Sequence, residues 1–375
     1  MVAGEASGDL HGATLAHALA ALAPGLTVAG MGGPRMAAAG VHILHGIERA
    51  AVVGGTEVVG RLPALYRIFR DLVGRLRDAR PRVLVLIDFP DFNLRLARRA
   101  RRLGIPVVYF VPPQVWAWRR GRLRAMARDV SRVLAVFPFE VGLYQEAGVP
   151  VEFVGHPVLD VLPALGRPAA RAGLAGKRQH LIGLLPGSRR EEIRRHLPVL
   201  LGAAAQIRRR VPRARFVLPL ASTIPPETVT GAVEAADLGI QVLPGEAYRV
   251  MAAADLVLVA SGTATLEAAC YETPMVVLYR LSPVSYALAR LVIHGVTAIS
   301  LPNIIAGRAA VPELIQRHAT PTRLATAALR LLLDDAARVA QRAVLREVRA
   351  RLGPRGAAER AARAVLRESG HALPA

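Results

Sequence analysis

The feature that most constrains this chain is a short apolar run that ends in a carboxylate. Residues 83–87 are all aliphatic, no polar residue alternates with them, and Asp88 follows directly. Such a run is typical of a central strand buried on both faces, as in a parallel sheet covered by helices. In open α/β sheets the carboxyl ends of the strands line the ligand crevice. The run therefore predicts an α/β fold with Asp88 placed for chemistry.

Asp88 and Asp91 lie on either side of a proline turn, and two interpretations are open. As caps, both carboxylates would bond to the amides of a helix that begins near Leu94. As site residues, both would face the ligand crevice. Capping explains Asp91 about as well as a site does, but it explains Asp88 less well, because Pro90 separates Asp88 from the helix start.

Strand-like apolar runs alternate with Ala-, Leu- and Arg-rich helical stretches along most of the 375 residues. This alternation and this length predict two doubly wound, Rossmann-like domains that face a cleft. We expect domains over residues 1–163 and 164–339, with a Pro-, Gly- and Arg-rich linker over 159–179. Helices over about residues 340–375 should pack back on the first domain or swap between subunits, which leaves a homodimer open. The predicted strands are 27–30, 83–87, 107–111, 133–137, 180–185, 215–219, 256–259 and 275–279, and the predicted helices include 63–79, 93–103 and 193–210.

The charge balance favours anionic partners, because 49 Lys and Arg residues stand against 28 Asp and Glu residues, a net charge of +21. Acidic lipid and phosphorylated substrates fit this charge. Nucleic acid is not expected, because the arginines are spread over many helices and aromatic residues make up only 5% of the chain. A single cysteine, Cys270, excludes a disulfide framework and a cysteine-based metal site. No apolar span or signal peptide is visible, so we expect a cytosolic protein.

The first residues contain a glycine turn of unusual placement. Residues 4–9 read as a strand-to-helix turn, but only three residues precede it, fewer than a strand usually has. We expect either a start upstream or a shortened first strand.

Two turns in the second half of the chain are typical of phosphate binding. In the first, a strand ends in Pro-Gly-Ser, and backbone N–H groups at the following helix, with Ser188 and Arg189, would form a diphosphate cradle. In the second, Ser261, Gly262 and Thr263 follow a buried strand and offer similar donors. Each turn alone is equally an ordinary capped turn. Neither is a Walker A motif, and residues 30–33 are not a Rossmann fingerprint, so ATP hydrolysis and NAD are disfavoured.

Glu267 lies one helical turn after the second of these turns, where an acidic residue could accept hydrogen bonds from a ribose. The tryptophans, Trp116 and Trp118, precede an amphipathic segment that carries Arg120 and Arg124. Aromatic residues beside such a segment suit a membrane surface with anionic headgroups. A core-packed helix with a solvated arginine face is the alternative, and periodicity alone favours it.

Taken together, these segments closely resemble the lipid-A-disaccharide synthase family, inverting glycosyltransferases with a GT-B-like fold. Nine segments match in family order and cover the chain from Ala3 to about Leu314. They are residues 3–9, 33–36, 87–93, 113–118, 137–140, 153–157, 185–189, 260–267 and 301–308. Two departures are the short first strand and a Pro-Pro pair at 112–113, where the family commonly has Ser-Pro.

The resemblance implies a reaction without cofactor or metal. UDP-2,3-diacylglucosamine would donate its sugar to 2,3-diacylglucosamine 1-phosphate, giving the β-1,6 disaccharide 1-phosphate and UDP. Asp88 is then expected to be the base and Glu5 to orient Asp88 or the acceptor, while Gln114 and Asp91 contact the acceptor. Helix dipoles and arginine would replace Mg²⁺ at the leaving diphosphate.

The resemblance implies that the two turns hold the UDP diphosphate, that Glu192 and Asn303 lie near the donor, and that Glu267 meets the ribose. It also strengthens the membrane interpretation of Trp116, Trp118, Arg120 and Arg124, because both substrates carry acyl chains. We expect a cytoplasmic protein on the inner face of the inner membrane. The alternative is another UDP-sugar enzyme of the same fold, such as a lipid-linked N-acetylglucosaminyltransferase or a UDP-N-acetylglucosamine 2-epimerase.

Overall fold

The computed structural model describes residues 1–47, 58–113, 121–176, 178–222, 224–282, 286 and 298–371. The chain divides into two compact units. Met1–Asp160 and Leu352–Ala375 belong to the first, and Val161–Leu291 and Gly295–Arg351 belong to the second. Each unit is built on its own parallel sheet, so the predicted α/β fold class is confirmed.

The strands and helices follow one another in the expected alternation. The strands are β1 (Val2–Ala3), β2 (Ala29–Gly32), β3 (His42–Gly46), β4 (Leu84–Ile87), β5 (Val107–Phe110), β6 (Arg132–Ala135), β7 (Val151–Phe153), β8 (Leu181–Leu185), β9 (Arg215–Leu220), β10 (Gln241–Pro244), β11 (Leu256–Ala260), β12 (Met275–Tyr279) and β13 (Glu313–Ile315). The helices in the described ranges are α1 (Ala6–Leu22), α2 (Pro34–Ala38), α3 (Val58–Ala79), α4 (Pro90–Arg102), α5 (Gly121–Asp129), α6 (Pro138–Glu146), α7 (Val158–Val161), α8 (Arg167–Arg171), α9 (Arg190–Arg210), α10 (Glu227–Ala235), α11 (Ala247–Ala253), α12 (Thr263–Cys270), α13 (Leu301–Ala306), α14 (Pro321–Leu333), α15 (Asp335–Arg351) and α16 (Ala357–Glu368).

In the first unit the strand order is β3-β2-β1-β4-β5-β6-β7. The chain first winds outward from β1 to β3 and then returns to start β4 beside β1. A short β1 is sufficient here, since Val2 pairs with both Met31 of β2 and Leu86 of β4. The reversal makes the gap between β1 and β4 the topological switch point, where open α/β sheets bind ligands.

The core of the first unit explains why the run at 84–87 is uninterrupted by polar residues. All four residues of β4 are buried, because helices cover both faces of the sheet. From one side, α4 packs Leu96, Ala97 and Ala100 into the core with no exposed area. Burial of a side chain the size of Leu contributes about 1.5–3 kcal/mol, so this strand and helix hold each other in place.

The second unit repeats the arrangement with the strand order β10-β9-β8-β11-β12-β13. Its switch point lies between β8 and β11, which pair from Leu256 opposite Ile182 to Val259 opposite Leu185. The two predicted phosphate turns directly follow these two strands. The sheet topology therefore brings both turns to one edge of one sheet.

Several sequence-based expectations differ from the structure in detail. The helices expected at 93 and 193 begin at Pro90 and Arg190. Residues 301–308, one of the nine family-like segments, contain the helix α13, which was not among the predicted helices; it has a proline in its first turn and ends at Gly307 in the left-handed conformation. The segment 159–179 contains the short helices α7 and α8 rather than a bare linker. Of the C-terminal helices, α15 lies in the second unit and α16 in the first.

Candidate active site

The switch point of the first unit brings Glu5 and Asp88 to the same edge of the sheet. Ala3 at the end of β1 pairs with Ile87 at the end of β4, and the two acidic residues follow these strand ends. Burial, and secondly the charge of Glu5, raise the pKa of Asp88 to about 6. Glu5 itself is exposed at the start of α1. A carboxylate with a raised pKa can accept a proton near neutral pH, so this pair has the properties of a general base with an acidic neighbour.

The backbone at Asp88 makes a sharp turn between β4 and α4. Asp88 and Phe89 both adopt left-handed conformations, with φ values of 49° and 50°. The ring of Phe89 stacks on that of Phe92 with centroids 5.3 Å apart, and it covers Gly4 so closely that a Cβ at Gly4 would lie 2.3 Å from a ring carbon. Gly4 is therefore required by the close approach of the Phe89 ring.

Asp91 lies in the first turn of α4, where the helix dipole favours an acidic residue, but the N-cap position is Phe89 and has no side-chain cap. Its exposed carboxylate accepts a hydrogen bond of 2.6 Å from the guanidinium of Arg122 on α5. An open depression of about 470 Å³ lies here, lined by Pro90, Asp91, Leu94, Arg95, Gly121 and Arg122. This depression is a candidate subsite beside Asp88.

Asp9, in the glycine-rich segment at residues 4–9, has a structural function that sequence analysis missed. Its carboxylate accepts hydrogen bonds from the amides of Gly33, Arg35 and Met36 and so caps α2 from a distance. A Cβ at Gly33 would lie 2.6 Å from Asp9 Oδ2. The two family-like segments at 3–9 and 33–36 are thus parts of one hydrogen-bonded unit.

The predicted membrane-facing segment is described only in part. Gln114, Trp116, Trp118 and Arg120 lie outside the described residues. Arg124 is exposed on α5. The apolar face of α5 packs into the core of the first unit, where Met126 has no exposed area. In this helix, the exposed surface is the arginine face.

The first phosphate turn of the second unit is already occupied by a side chain. The carboxylate of Glu192 accepts hydrogen bonds from the backbone amides of Ser188 (3.0 Å) and Arg189 (3.3 Å). Both amides were expected to donate to a ligand, but here they donate to a side chain of the protein itself. Gly187 makes the arrangement possible, because its φ of 116° favours glycine and a Cβ would lie 2.5 Å from the Glu192 carboxylate. The guanidinium of Arg189 is largely exposed.

His196 on α9 is hydrogen-bonded to this turn, and the sequence analysis did not identify it as a site residue. Its Nε2 accepts a hydrogen bond from the amide of Arg280 (3.0 Å), so the proton is on Nδ1, which donates to the carbonyl of Pro186 (2.8 Å). The ring is fully buried, and burial lowers its pKa. His196 therefore joins the ends of β8 and β12 as a neutral imidazole.

The second phosphate turn is held by its own contacts. The Ser261 hydroxyl donates to the carbonyl of Ile299 (3.0 Å), and Gly262 has φ 156° and ψ −163°, where a side chain would be strained. Thr263 begins α12, and Glu267 lies one turn later, hydrogen-bonded to the hydroxyl of Tyr248 (3.3 Å). Burial raises the pKa of Glu267 to about 7. Ser261 and Thr263 are thus presented at the end of β11.

Asn303 does not offer its amide to a ligand in this structure. Its Nδ2 donates to the carbonyl of Val311 and the carboxylate of Glu313, and its Oδ1 accepts from the amides of Ala310 and Val311. All of its hydrogen-bonding capacity is used. The same Glu313 carboxylate accepts from Ser300 and Ile299, so Asn303 helps to hold the strand-to-helix loop that also contacts Ser261.

Two solved structures share this fold. The calicheamicin glycosyltransferase CalG4 aligns with a TM-score of 0.61 and 18% identity, covering 100% of this chain and 97% of its own. The UDP-N-acetylglucosamine 2-epimerase of Neisseria meningitidis, bound to UDP-N-acetylglucosamine, aligns with a TM-score of 0.56 and 12% identity, covering 96% of each chain. The fold is therefore that of a class containing glycosyltransferases and UDP-sugar epimerases.

The sequence comparisons are more specific. A family model described as lipid-A-disaccharide synthetase matches residues 1–366. The lipid-A-disaccharide synthase of Anaeromyxobacter dehalogenans (strain 2CP-C) is 46% identical over 376 residues, which cover 98% of this chain and 96% of the relative. That of Myxococcus xanthus (strain DK1622) is 45% identical over 369 residues, with the same coverage. The chain belongs to the lipid-A-disaccharide synthase family, and the predicted resemblance is confirmed. It is a glycosyltransferase of lipid A biosynthesis.

None of the helices in the described ranges is long and apolar enough to cross a membrane.

Proposed function

We propose that this glycosyltransferase transfers 2,3-diacylglucosamine from UDP-2,3-diacylglucosamine to 2,3-diacylglucosamine 1-phosphate with inversion. The products are the β-1,6 disaccharide 1-phosphate and UDP. The observation that carries the proposal is Asp88, a half-buried carboxylate with a raised pKa at the switch point of a sheet in a member of this family. An inverting transfer needs one base for the acceptor hydroxyl, and Asp88 is suited to that task.

In the proposed reaction, Asp88 takes the proton of the acceptor 6-hydroxyl as the oxygen bonds to the anomeric carbon of the donor. The bond from that carbon to UDP breaks, and the electron pair leaves with the diphosphate. Glu5 raises the proton affinity of Asp88 through its charge. Asp91, Arg122 and the depression beside them are proposed to contact the acceptor, together with Gln114.

For the donor, we propose that the two turns at the ends of β8 and β11 bind the diphosphate. Ser188 and Arg189 come from the first turn, and Ser261, Gly262 and Thr263 from the second. Glu267 is proposed to accept hydrogen bonds from the ribose. Glu192 holds the first turn through the amides of Ser188 and Arg189, and it would release them when a diphosphate replaces its carboxylate. Asn303 acts indirectly, through Glu313 and the loop that contacts Ser261. The proposed mechanism uses no metal and no cofactor.

The acyl chains of both substrates place the reaction at a membrane. We propose that the enzyme works in the cytoplasm on the inner face of the inner membrane, docked through Trp116, Trp118, Arg120 and Arg124. The net charge of +21 supports attraction to anionic headgroups. A homodimer stays a prediction; in the single chain, α16 packs in the first unit.

Mass spectrometry of the products tests the proposal. Purified protein is mixed with both substrates in mixed micelles without added metal, and Asp88→Asn is run in parallel. We expect a disaccharide 1-phosphate and UDP from the parent protein, and NMR of the product should show the β linkage. If no disaccharide forms, and NMR of a separate incubation with UDP-N-acetylglucosamine alone shows its 2-epimer, an epimerase of the same fold would instead be favoured.

A further inference from the structure

We propose that Tyr109 and Asn93 are positioning residues, which fix the Asp88 carboxylate by binding the backbone carbonyl of the same residue. This inference deepens the proposed function and rests on Asp88 being the base. Neither side chain reaches the sheet edge as a reacting group. Both act on the turn that carries Asp88.

The contacts come from two different elements. Tyr109 on β5, the strand next to β4, donates its hydroxyl to the carbonyl of Asp88 at 2.6 Å. Asn93 on α4 donates Nδ2 to the same carbonyl at 2.7 Å. Both side chains are buried with no exposed area. One carbonyl oxygen thus accepts two short hydrogen bonds, from a strand and from a helix, at the start of the turn.

Asn93 is used only as a donor. Its Nδ2 also lies 3.3 and 3.4 Å from the carbonyls of Ile87 and Val2, at the ends of β4 and β1. Its Oδ1 accepts no hydrogen bond from any of the described residues. The amide orientation is fixed by these contacts, since the reverse orientation would place Oδ1 against three carbonyl oxygens. Tyr109 also remains a donor, because burial raises its pKa well above the ordinary value.

These hydrogen bonds are needed because of the backbone conformation. Asp88 and Phe89 are consecutive non-glycine residues in the left-handed region, a conformation that is unfavourable unless the surroundings hold it. The turn points the carbonyl of Asp88 into the sheet, where a carbonyl without a donor would be unfavourable. The carbonyl and the side chain share the same Cα, so a peptide held inward fixes the direction of the Cα–Cβ bond and with it the region that the carboxylate can reach.

The test is Tyr109→Phe, which removes one hydroxyl and keeps the buried ring. If the turn relaxes, the carboxylate moves away from its productive position and becomes better solvated. We expect kcat to fall about 10- to 100-fold, the effect of a displacement near 1 Å, with KM for both substrates within about twofold. The acidic limb of the pH profile of kcat/KM, expected near pH 6 for the parent, should move to lower pH.

The matched control is Tyr144→Phe. Tyr144 is equally buried in the first unit, and its hydroxyl donates to another backbone carbonyl, that of Pro113, at 3.2 Å. This variant should leave the acidic limb where it is, whatever it does to stability. Asn93→Ala should give the signature of Tyr109→Phe, a lower kcat with an acid-shifted limb.

The outcomes separate this inference from the proposed function. No disaccharide from the parent protein would refute the proposed function. Turnover by the parent that is lost in Asp88→Asn, with Tyr109→Phe keeping the parental kcat and the parental acidic limb, would overturn the inference alone. A Tyr109→Phe variant that loses thermal stability but keeps the parental acidic limb would also overturn it, because the hydroxyl would then be only structural.

Discussion

At the scale of single residues, the fold holds the candidate base, Asp88, in a backbone conformation and an environment that are unfavourable for an aspartate. Asp88 is placed in a left-handed turn, and burial together with Glu5 disfavours its charged form. Both effects work against stability at neutral pH, and both serve a proton acceptor. The turn is held by the packing of Phe89 over Gly4 and by the hydrogen bonds to its carbonyl, so neighbouring residues supply the stability that Asp88 itself lacks.

Replacement of Asp88 by Asn should therefore increase stability while abolishing activity. The pKa of Asp88 rises from 3.8 to about 6 on folding, so its protonated form is favoured in the folded protein. That contribution is complete below about pH 4 and is lost as the pH rises through about 6. At about pH 7.5 we expect Asp88→Asn to be about 1–3 kcal/mol more stable than the parent, and the difference should vanish near pH 4.

Urea unfolding at these two pH values, with product formation by mass spectrometry, measures both effects. The rate should fall at least about 100-fold, the usual contribution of a general base. The control is Asp78→Asn at an exposed position on α3, which should change stability by less than about 0.5 kcal/mol. A near-normal rate in Asp88→Asn would remove Asp88 from the role of base.

At the scale of elements, the second unit shows how side chains hold the turn that is proposed to bind the diphosphate. Pro186 follows β8 and Arg280 follows β12, and His196 on the intervening helix α9 is bonded to both. The hydrogen bonds of Glu192 shape the same turn from the helix N-terminus. The turn is thus preorganised, and a bound diphosphate would exchange with a carboxylate that occupies its amides in the ligand-free protein.

Arg189→Ala tests whether this turn binds the diphosphate. The Arg189 guanidinium is largely exposed and its ion pair with Glu192 is long, at 3.5 Å, so it is available to a ligand. Loss of one charged hydrogen bond should weaken UDP binding by about 1.5–3 kcal/mol, measured by isothermal titration calorimetry. Arg190→Ala removes the same charge one residue later and should have a much smaller effect. Equal losses in both variants would show that the general field, and not the turn, attracts UDP.

At the scale of the whole molecule, the parts of the fold with a strong apolar signal were predictable. The buried runs that became β4, β8, β11 and β12 were found, because helices cover both faces of these central strands. The strands β3, β7, β10 and β13 were missed. They are short and only partly buried, so they carry neither an apolar run nor a clear alternation.

In the candidate site, the parts that directly follow a strongly apolar strand were predictable from sequence, and the supporting residues were not. Asp88 and the two turns follow predictable strands, so their position at a sheet edge could be inferred from sequence. Tyr109 and His196 were not found, because each looks like a core residue of its own element. Their partners are backbone carbonyls and amides 10, 21 and 84 residues away in the sequence, and no residue pattern reveals such pairs. The same limit applies to Asp9 and its cap on α2.

Charge is a property of the whole molecule, and it leads to the last prediction. The membrane contact proposed above is one between charged surface residues and anionic headgroups, so its strength should depend on charge. A protein with a net charge of +21 should bind vesicles that contain anionic lipid. Each Lys or Arg close to the membrane surface should contribute about 1 kcal/mol to the binding free energy. Co-sedimentation should show binding at about 0.05 M salt and release by about 0.5 M, because screening shortens the range of the attraction.

Two substitutions of equal charge locate the contact on the molecule. Arg124→Glu changes the exposed face of α5 in the first unit, and Arg210→Glu changes the exposed end of α9 in the second unit. If the arginine face of α5 docks on the membrane, Arg124→Glu should weaken vesicle binding several times more than Arg210→Glu does. Equal weakening would mean that the total charge, with no preferred face, brings the protein to the membrane. Binding to zwitterionic vesicles that persists at about 0.5 M salt would contradict the electrostatic argument altogether, because apolar insertion would then dominate.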